Sequence, residues 1–363
     1  MSESILLKSD EKAVVALRSL YKKYGYLPFK MSKFEEYDLY VRNKEFLIGD
    51  SVITFNDTDG RLLALKPDVT LSIIKNSVYE KGTKQKVYYN ENVYRVSQKT
   101  KRFKEIMQSG IECIGDTDIF DTYEVVYLAL RSLAAVSENY ALDISHLGIL
   151  SRLLSAACDN DAFKNRITAL ISEKNKHEID KACADFSVSG EYAELIKEII
   201  DIYGSVSSVL CKLRPVCEKI GASEQYAELS DLCTMLSDSG MADRIRIDFS
   251  VVNDMNYYNG IVFKGFIEGV PDGALSGGEY GSLMERMGKH SGAVGFAIYL
   301  DIIEELTQAR DYDVDVLLLY SEKTDPVSLF EMKNKLISEG KSVSLQRAVP
   351  SKLRYRELVK LDK

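Results

Sequence analysis

Strand-patterned segments stand on both sides of a long helix-patterned block, and this arrangement constrains the fold more than any single motif does. From about residue 160 to 240, the runs DAFKNRITALISEKN, GEYAELIKEIIDIYG, SSVLCKLRPVCEKIG and EQYAELSDLCTMLSDSG carry helical spacing, with short polar breaks between them. Before the block, DSVITFND, RLLALKPD, KVYYNENVYRV and FKEIMQSGIECIG read as strands. After it, RIRIDFSVV, NYYNGIVFKGFIEG and GAVGFAIYL do so again, with SLMERMG as a short helix among them. Strands flanking such a block imply one α+β sheet assembled from distant segments, with the block as an all-helical insertion.

Local signals fill in the plan. Ser9 is placed to cap a helix whose Ala13, Leu17, Leu20, Tyr21 and Tyr24 share one face, and Gly25 stands where a left-handed stop is expected. Asp59-Gly60 folds the first two strand runs into a hairpin, and DVTLSIIKNSVYEK reads as a helix. The polar, basic SQKTKR turns KVYYNENVYRV back onto FKEIMQSGIECIG as a second, longer hairpin, and Ile119, Tyr123, Val126, Leu130 and Leu133 mark the helix after it. The chain ends in a separate α/β module, residues 311–363, beside a core of residues 1–310. That module reads as strand, helix and strand, then closes on RYRELVKLDK without a further strand.

Composition excludes several function classes. With 363 residues, 45% hydrophobic and 28% charged, the chain has the balance of a soluble globular protein of two or three domains. No apolar run approaches the ~20 residues of a membrane span, and MSESILLKSD lacks the plan of a signal peptide, so a cytoplasmic protein is expected. The six cysteines form no CxxC pair and the three histidines no HxxxH or HExxH spacing, which points to reduced thiols and no metal site. A net charge of −8 argues against a large nucleic-acid footprint. Gly288-Lys289 is followed by His290 rather than Ser or Thr, so there is no phosphate-binding P-loop, and no cofactor is expected.

A few residues suggest a small polar ligand site. Arg95, on a strand beside the basic loop, can pair bidentately with a carboxylate or phosphate, or form a surface salt bridge. Asp68 and Thr70 begin a helix, where capping its free amides is the plainer role. Gln108 and Glu112 lie four apart on an otherwise apolar strand, so alternation sends both to one side, and a buried carboxylate there requires a partner. A Tyr257-Tyr258 pair in a strand is more often core than ligand site. The glycines of Ser276-Gly277-Gly278 allow close approach of a ligand or another backbone, or a tight turn.

Five segments in order, LALKPDVT (63–70), VYRVSQKTKRFKEIMQSGIECIG (93–115), NDMNYYNG (253–260), SGGEYGSL (276–283) and AVGFAIYLD (293–301), resemble the catalytic core of histidyl-tRNA synthetase. The resemblance covers nearly the whole chain and implies a class II aminoacyl-tRNA synthetase-like fold: an antiparallel sheet flanked by helices, with a helical insertion and a short C-terminal α/β segment. It also implies a histidine site of Asp68, Thr70, Arg95, Gln108, Glu112, Tyr257 and Tyr258. In the family the pair matching Asp68 and Thr70 holds the α-amino group, and Glu112 and Tyr258 are expected nearest the imidazole.

The chain departs from that family where adenylate chemistry is performed. The synthetase pattern RGLDYY reads NDMNYY, placing Asn253 where an arginine would face carboxylate and phosphate charge. GFAIGLER reads GFAIYLDI, with Tyr299 for a glycine, Asp301 for the glutamate and Ile302 for the arginine that stacks on adenine. Ser32 replaces the proline of the first motif, and the C-terminal module is shorter than an anticodon-binding domain, so no tRNA partner is expected. These departures, and FKGF after YYNG, resemble the paralogous regulatory subunits of ATP phosphoribosyltransferase. That likeness implies no catalytic residues, a short catalytic partner chain, L-histidine as effector, and a homodimer within a hetero-oligomer, a hetero-octamer. Two other readings stay open: a divergent histidyl-tRNA synthetase or amino-acid ligase, and a small-molecule-binding protein that reuses the pocket.

Overall fold

The computed structural model describes residues 9–44, 47, 52–78, 80–96, 100–252, 257–301 and 312–361. The chain divides into two compact units, Ala13–Ile302 and Met1–Lys12 with Ile303–Lys363.

α1 (Ser9–Lys23) is the expected helix, and the larger unit begins within it at Ala13. Ala13, Leu17 and Tyr21 are buried, Leu20 and Tyr24 half-buried, and Gly25 leaves the helix at φ +82°, a conformation that favours glycine. β1 (Leu27–Pro28), β2 (Phe34–Glu36), α2 (Tyr37–Arg42), β3 (Thr54–Asn56) and β4 (Leu62–Leu65) follow. β3 and β4 are the expected hairpin, and β2 adds to the other side of β4, giving a small antiparallel sheet. α3 (Thr70–Asn76) is shorter than its sequence pattern, because Ser77 turns extended and its hydroxyl donates to the Ile74 carbonyl at 2.8 Å.

β5 (Lys84–Val96) and β6 (Phe103–Gly115) form the long hairpin, paired from Lys84↔Gly115 to Val96↔Phe103. α4 (Ile119–Ala134) starts at a capping box in which Asp118 and Asp121 each satisfy the other's backbone amide. No element was expected between α4 and the helical block, yet β7 (Tyr140–His146) and α5 (Leu147–Ala157) lie there. β7 buries Asp143 and Ser145 alongside Leu142 and Ile144, which hides its strand alternation.

The block itself contains α6 (Asp161–Ser172), α7 (Ile179–Asp185), α8 (Gly190–Asp201), α9 (Val206–Ile220) and α10 (Ser223–Leu236). It is not wholly helical: β8 (Tyr203–Gly204) separates α8 from α9 and is too short to show a period. β9 (Ile245–Asp248), β10 (Ile261–Ile267), β11 (Leu275–Glu279), α11 (Gly281–Arg286) and β12 (Gly292–Tyr299) complete the unit. The strands assemble in the order β1-β5-β6-β12-β11-β10-β7-β9-β8, antiparallel except at β1/β5 and β7/β9. Segments before and after the block thus alternate in one sheet.

The smaller unit contains β13 (Val314–Tyr320), a helix at Pro326–Ser338, β14 (Val343–Gln346) and β15 (Tyr355–Leu361) in a parallel sheet ordered β14-β13-β15. β15 corrects the expectation that RYRELVKLDK adds no strand. Its Arg356, Glu357 and Lys360 are exposed, as suits an edge strand, and these charges mask the pattern. No helix among the described residues is long and apolar enough to cross a membrane.

Candidate functional site

β5, β6, β12 and β11 lie side by side, and their period of two gathers one set of side chains on a common face. Across β5 and β6 the registers oppose Tyr89 to Gly110 and Glu91 to Gln108; across β6 and β12 they oppose Gln108 to Tyr299, Gly110 to Ala297 and Glu112 to Gly295. Ser276 and Gly278 of β11 lie opposite Ala297 and Gly295. Small residues therefore make the floor, and Tyr89, Arg95, Gln108, Glu112 and Tyr299 rise around it.

Two further segments close the pocket. The turn into α3 brings Asp68 and Thr70, and the approach to β10 brings Tyr257 and Tyr258, whose ring centroids are 4.6 Å apart. All seven residues of the expected histidine site, Asp68, Thr70, Arg95, Gln108, Glu112, Tyr257 and Tyr258, line this one pocket. Sequence reasoning missed Tyr89 and Tyr280, which line it too.

Glu112 is the electrostatic centre. Thr70 donates its hydroxyl to Oε1 at 2.9 Å and Tyr280 donates to Oε2 at 2.6 Å. Burial, opposed by those two bonds, pushes the carboxyl up to about 8, so near neutrality it is mostly protonated. Burial also raises the hydroxyls of Tyr257 and Tyr280 well above the ordinary tyrosine range, which keeps them as donors. The Asp68 carboxyl is raised by burial and pulled back by Arg95, whose guanidinium stands 3.9 Å away. Arg95 Nε donates to the Pro67 carbonyl at 2.7 Å.

The capping role weighed for Asp68 also exists: its Oδ1 accepts from the Leu71 amide at 2.9 Å. Thr70 instead turns its hydroxyl to Glu112. The glycines at 277 and 278 serve close packing of protein on protein, since a Cβ would lie 2.5 Å from the Gly295 carbonyl at the first and 2.7 Å from the Ile261 carbonyl at the second. At Gly295 a Cβ would run into Glu112 Oε2 and lie 2.6 Å from the Ile111 carbonyl. Gly295→Ala is accordingly expected to displace Glu112 and cost about 1–3 kcal/mol. A lowered thermal midpoint checks this, and an unchanged midpoint would contradict it.

Of the positions where the sequence departs from a synthetase, Ser32 accepts the Phe34 amide at 3.3 Å as the chain enters β2, and Tyr299 ends β12 on the pocket wall. Asp301 pairs with Lys104 of β6 at 2.6 Å. Asn253 and Ile302 lie outside the described residues. A wider cleft adjoins the pocket, sharing Arg95, Ser276 and Tyr299, and Asn165, Thr168 and Ser172 of α6 give it a wall from the helical block.

A mixed, largely antiparallel sheet with helices around it and a polar pocket on its face is the class II synthetase-like arrangement, and the family model described as histidyl-tRNA synthetase matches residues 7–303. The chain belongs to that family. A curated relative from Clostridium botulinum (strain 657 / Type Ba4), named ATP phosphoribosyltransferase regulatory subunit, is 28% identical over 323 residues, covering 85% of this chain and 75% of the relative. A crystal structure from Bacillus halodurans, described as an ATP phosphoribosyltransferase regulatory subunit/histidyl-tRNA synthetase, superposes with a TM-score of 0.75 at 22% identity, over 97% of this chain and 93% of that one. A chain of an ATP phosphoribosyl transferase (HisG:HisZ) complex from Thermotoga maritima does so at 0.63 and 20% identity, over 79% of this chain and 96% of that one. The two structural likenesses establish the fold.

Proposed function

We propose that this chain is a regulatory subunit without turnover of its own, which activates a short ATP phosphoribosyltransferase catalytic chain and conveys histidine feedback on the first step of histidine biosynthesis. The convergence of Asp68, Thr70, Arg95, Gln108, Glu112, Tyr257 and Tyr258 on one pocket carries this reading. The names of the relatives support the choice of enzyme.

The pocket's charges suit a zwitterionic amino acid. Asp68 and Thr70 receive the α-amino group, and Arg95 meets the carboxylate. Glu112 and Tyr258 bracket the imidazole, with Gln108 beside them, and Tyr257 packs on Tyr258. A protonated Glu112 facing Asp68 and Arg95 leaves the pocket close to neutral, so histidine enters without burying net charge. Allostery then requires histidine to bind the active and inhibited assemblies unequally, by a coupling of about 1–3 kcal/mol. The proposed assembly is a homodimer of this chain within a hetero-octamer in the cytoplasm, with no tRNA.

The match to the histidyl-tRNA synthetase model favours a second reading, a divergent synthetase. The experiment that separates the two adds this chain to a short catalytic subunit that is slow alone. The regulatory reading expects phosphoribosyl transfer to accelerate until the chains are stoichiometric, and a rate indifferent to the chain would refute it.

A further inference from the structure

Lys66 is 0% exposed, though lysine is almost never fully buried unless paired. Its ammonium pairs with Glu91 of β5, and among the described residues neither side chain belongs to the pocket wall. Lys66 stands where β4 hands the chain to the turn that carries Asp68 and Thr70. β4 and β5 belong to different sheets, so no strand ladder holds this turn against the pocket.

Successive single contacts hold it instead. The Lys66 carbonyl accepts the Tyr94 amide at 2.9 Å, and the Pro67 carbonyl accepts Arg95 Nε at 2.7 Å. Beyond them Asp68 stands 3.9 Å from Arg95, and Thr70 reaches Glu112 at 2.9 Å. Glu91 is the cross-strand partner of Gln108, so the lysine is anchored to the strand pair that forms the floor.

We propose that Lys66 is a positioning residue of the pocket. By pairing with Glu91 it fixes the turn against β5, and so sets Asp68 and Thr70 in place without touching the ligand. Buried ion pairs often add no net stability over apolar residues of similar volume, but their geometry is directional, which suits a part that places others. The ligand readout below rests on the histidine reading of the pocket; the exchange readout does not.

Lys66→Met removes the ammonium and keeps an apolar stem. Glu91→Gln removes the opposite charge with the shape retained, and replaces it if Lys66→Met does not fold. In a folded variant, amide exchange over Thr70–Asn76 is expected to rise about tenfold or more relative to α4, reporting a loosened turn. Calorimetric affinity for L-histidine should fall about tenfold or more, and adding Thr70→Ala to Lys66→Met should then cost less than about twofold, because the hydroxyl has already lost its place. Unchanged exchange in the folded variants, or full additivity with Thr70→Ala, would overturn the assignment. If the unmodified chain takes up no histidine, the functional reading fails, and exchange alone still decides the role of Lys66.

Discussion

The isolated chain is expected to give no measurable histidine-dependent exchange of pyrophosphate into ATP. Adenylate formation requires fixed positive charge where the α-phosphate passes through its transition state, and losing one preorganised donor costs about 10²–10³ in rate. By its likeness to the synthetases, this chain has Asn253 and Ile302 at two positions where they carry arginines. Arg95 remains, but its Nε is bonded to the Pro67 carbonyl and its guanidinium faces Asp68. Losing the charge at position 253 should by itself lower the rate by about 10²–10³, and losing the arginine that stacks on adenine at position 302 weakens ATP binding further, which together should leave exchange below what labelled pyrophosphate detects. Robust exchange would favour the divergent synthetase.

Histidine affinity should follow a bell in pH, with Glu112 setting the alkaline side. The Glu112 carboxyl, pushed up to about 8, holds a proton near neutrality that it can share with a neutral imidazole, so binding then takes up or releases little. Above about pH 8 that proton must come from solvent, and affinity falls up to about tenfold per unit. Below about pH 6.5 the free imidazole carries a proton that must leave, and affinity falls again. The ligand's amino group also titrates on the alkaline side, so Glu112→Gln is the control. It should weaken binding by about 1–3 kcal/mol near neutrality and remove the part of the alkaline limb due to Glu112. Calorimetry across this range checks both, and an identical alkaline limb in Glu112→Gln would refute the role given to this carboxyl.

The same shift has a signed effect on stability. The native chain retains a proton that the unfolded chain releases above its ordinary value of 4.5. The term favours folding below that value and is lost as pH rises toward about 8, so melting profiles of Glu112→Gln should be flatter over this window.

What the sequence could disclose divides along physical lines. The long hairpin and the shared face of Gln108 and Glu112 were legible because a period of two is a local property of the chain. The class of the fold was legible through five ordered segments, whose spacing reflects a whole architecture. The partner of Glu112 was not: Tyr280 lies 168 residues further on, and nothing local marks it as the donor that a buried carboxylate needs. Tyr89 was hidden in the same way, since only the strand register sets its ring over Gly110, where a Cβ would lie 2.5 Å from the Tyr89 hydroxyl. Lys66 read as part of a hairpin end, and only the meeting of two sheets gives its ammonium a buried partner. β15 was missed because an edge strand keeps its charges.

The most direct measurement titrates L-histidine into a stoichiometric mixture of this chain and a short ATP phosphoribosyltransferase catalytic subunit while following phosphoribosyl transfer. The rate should stand well above that of the catalytic subunit alone and fall as histidine is added. Glu112→Ala should raise the inhibition midpoint about tenfold or more and leave the uninhibited rate nearly unchanged. A mixture no faster than the catalytic subunit alone, or inhibition untouched by Glu112→Ala, would contradict the regulatory role.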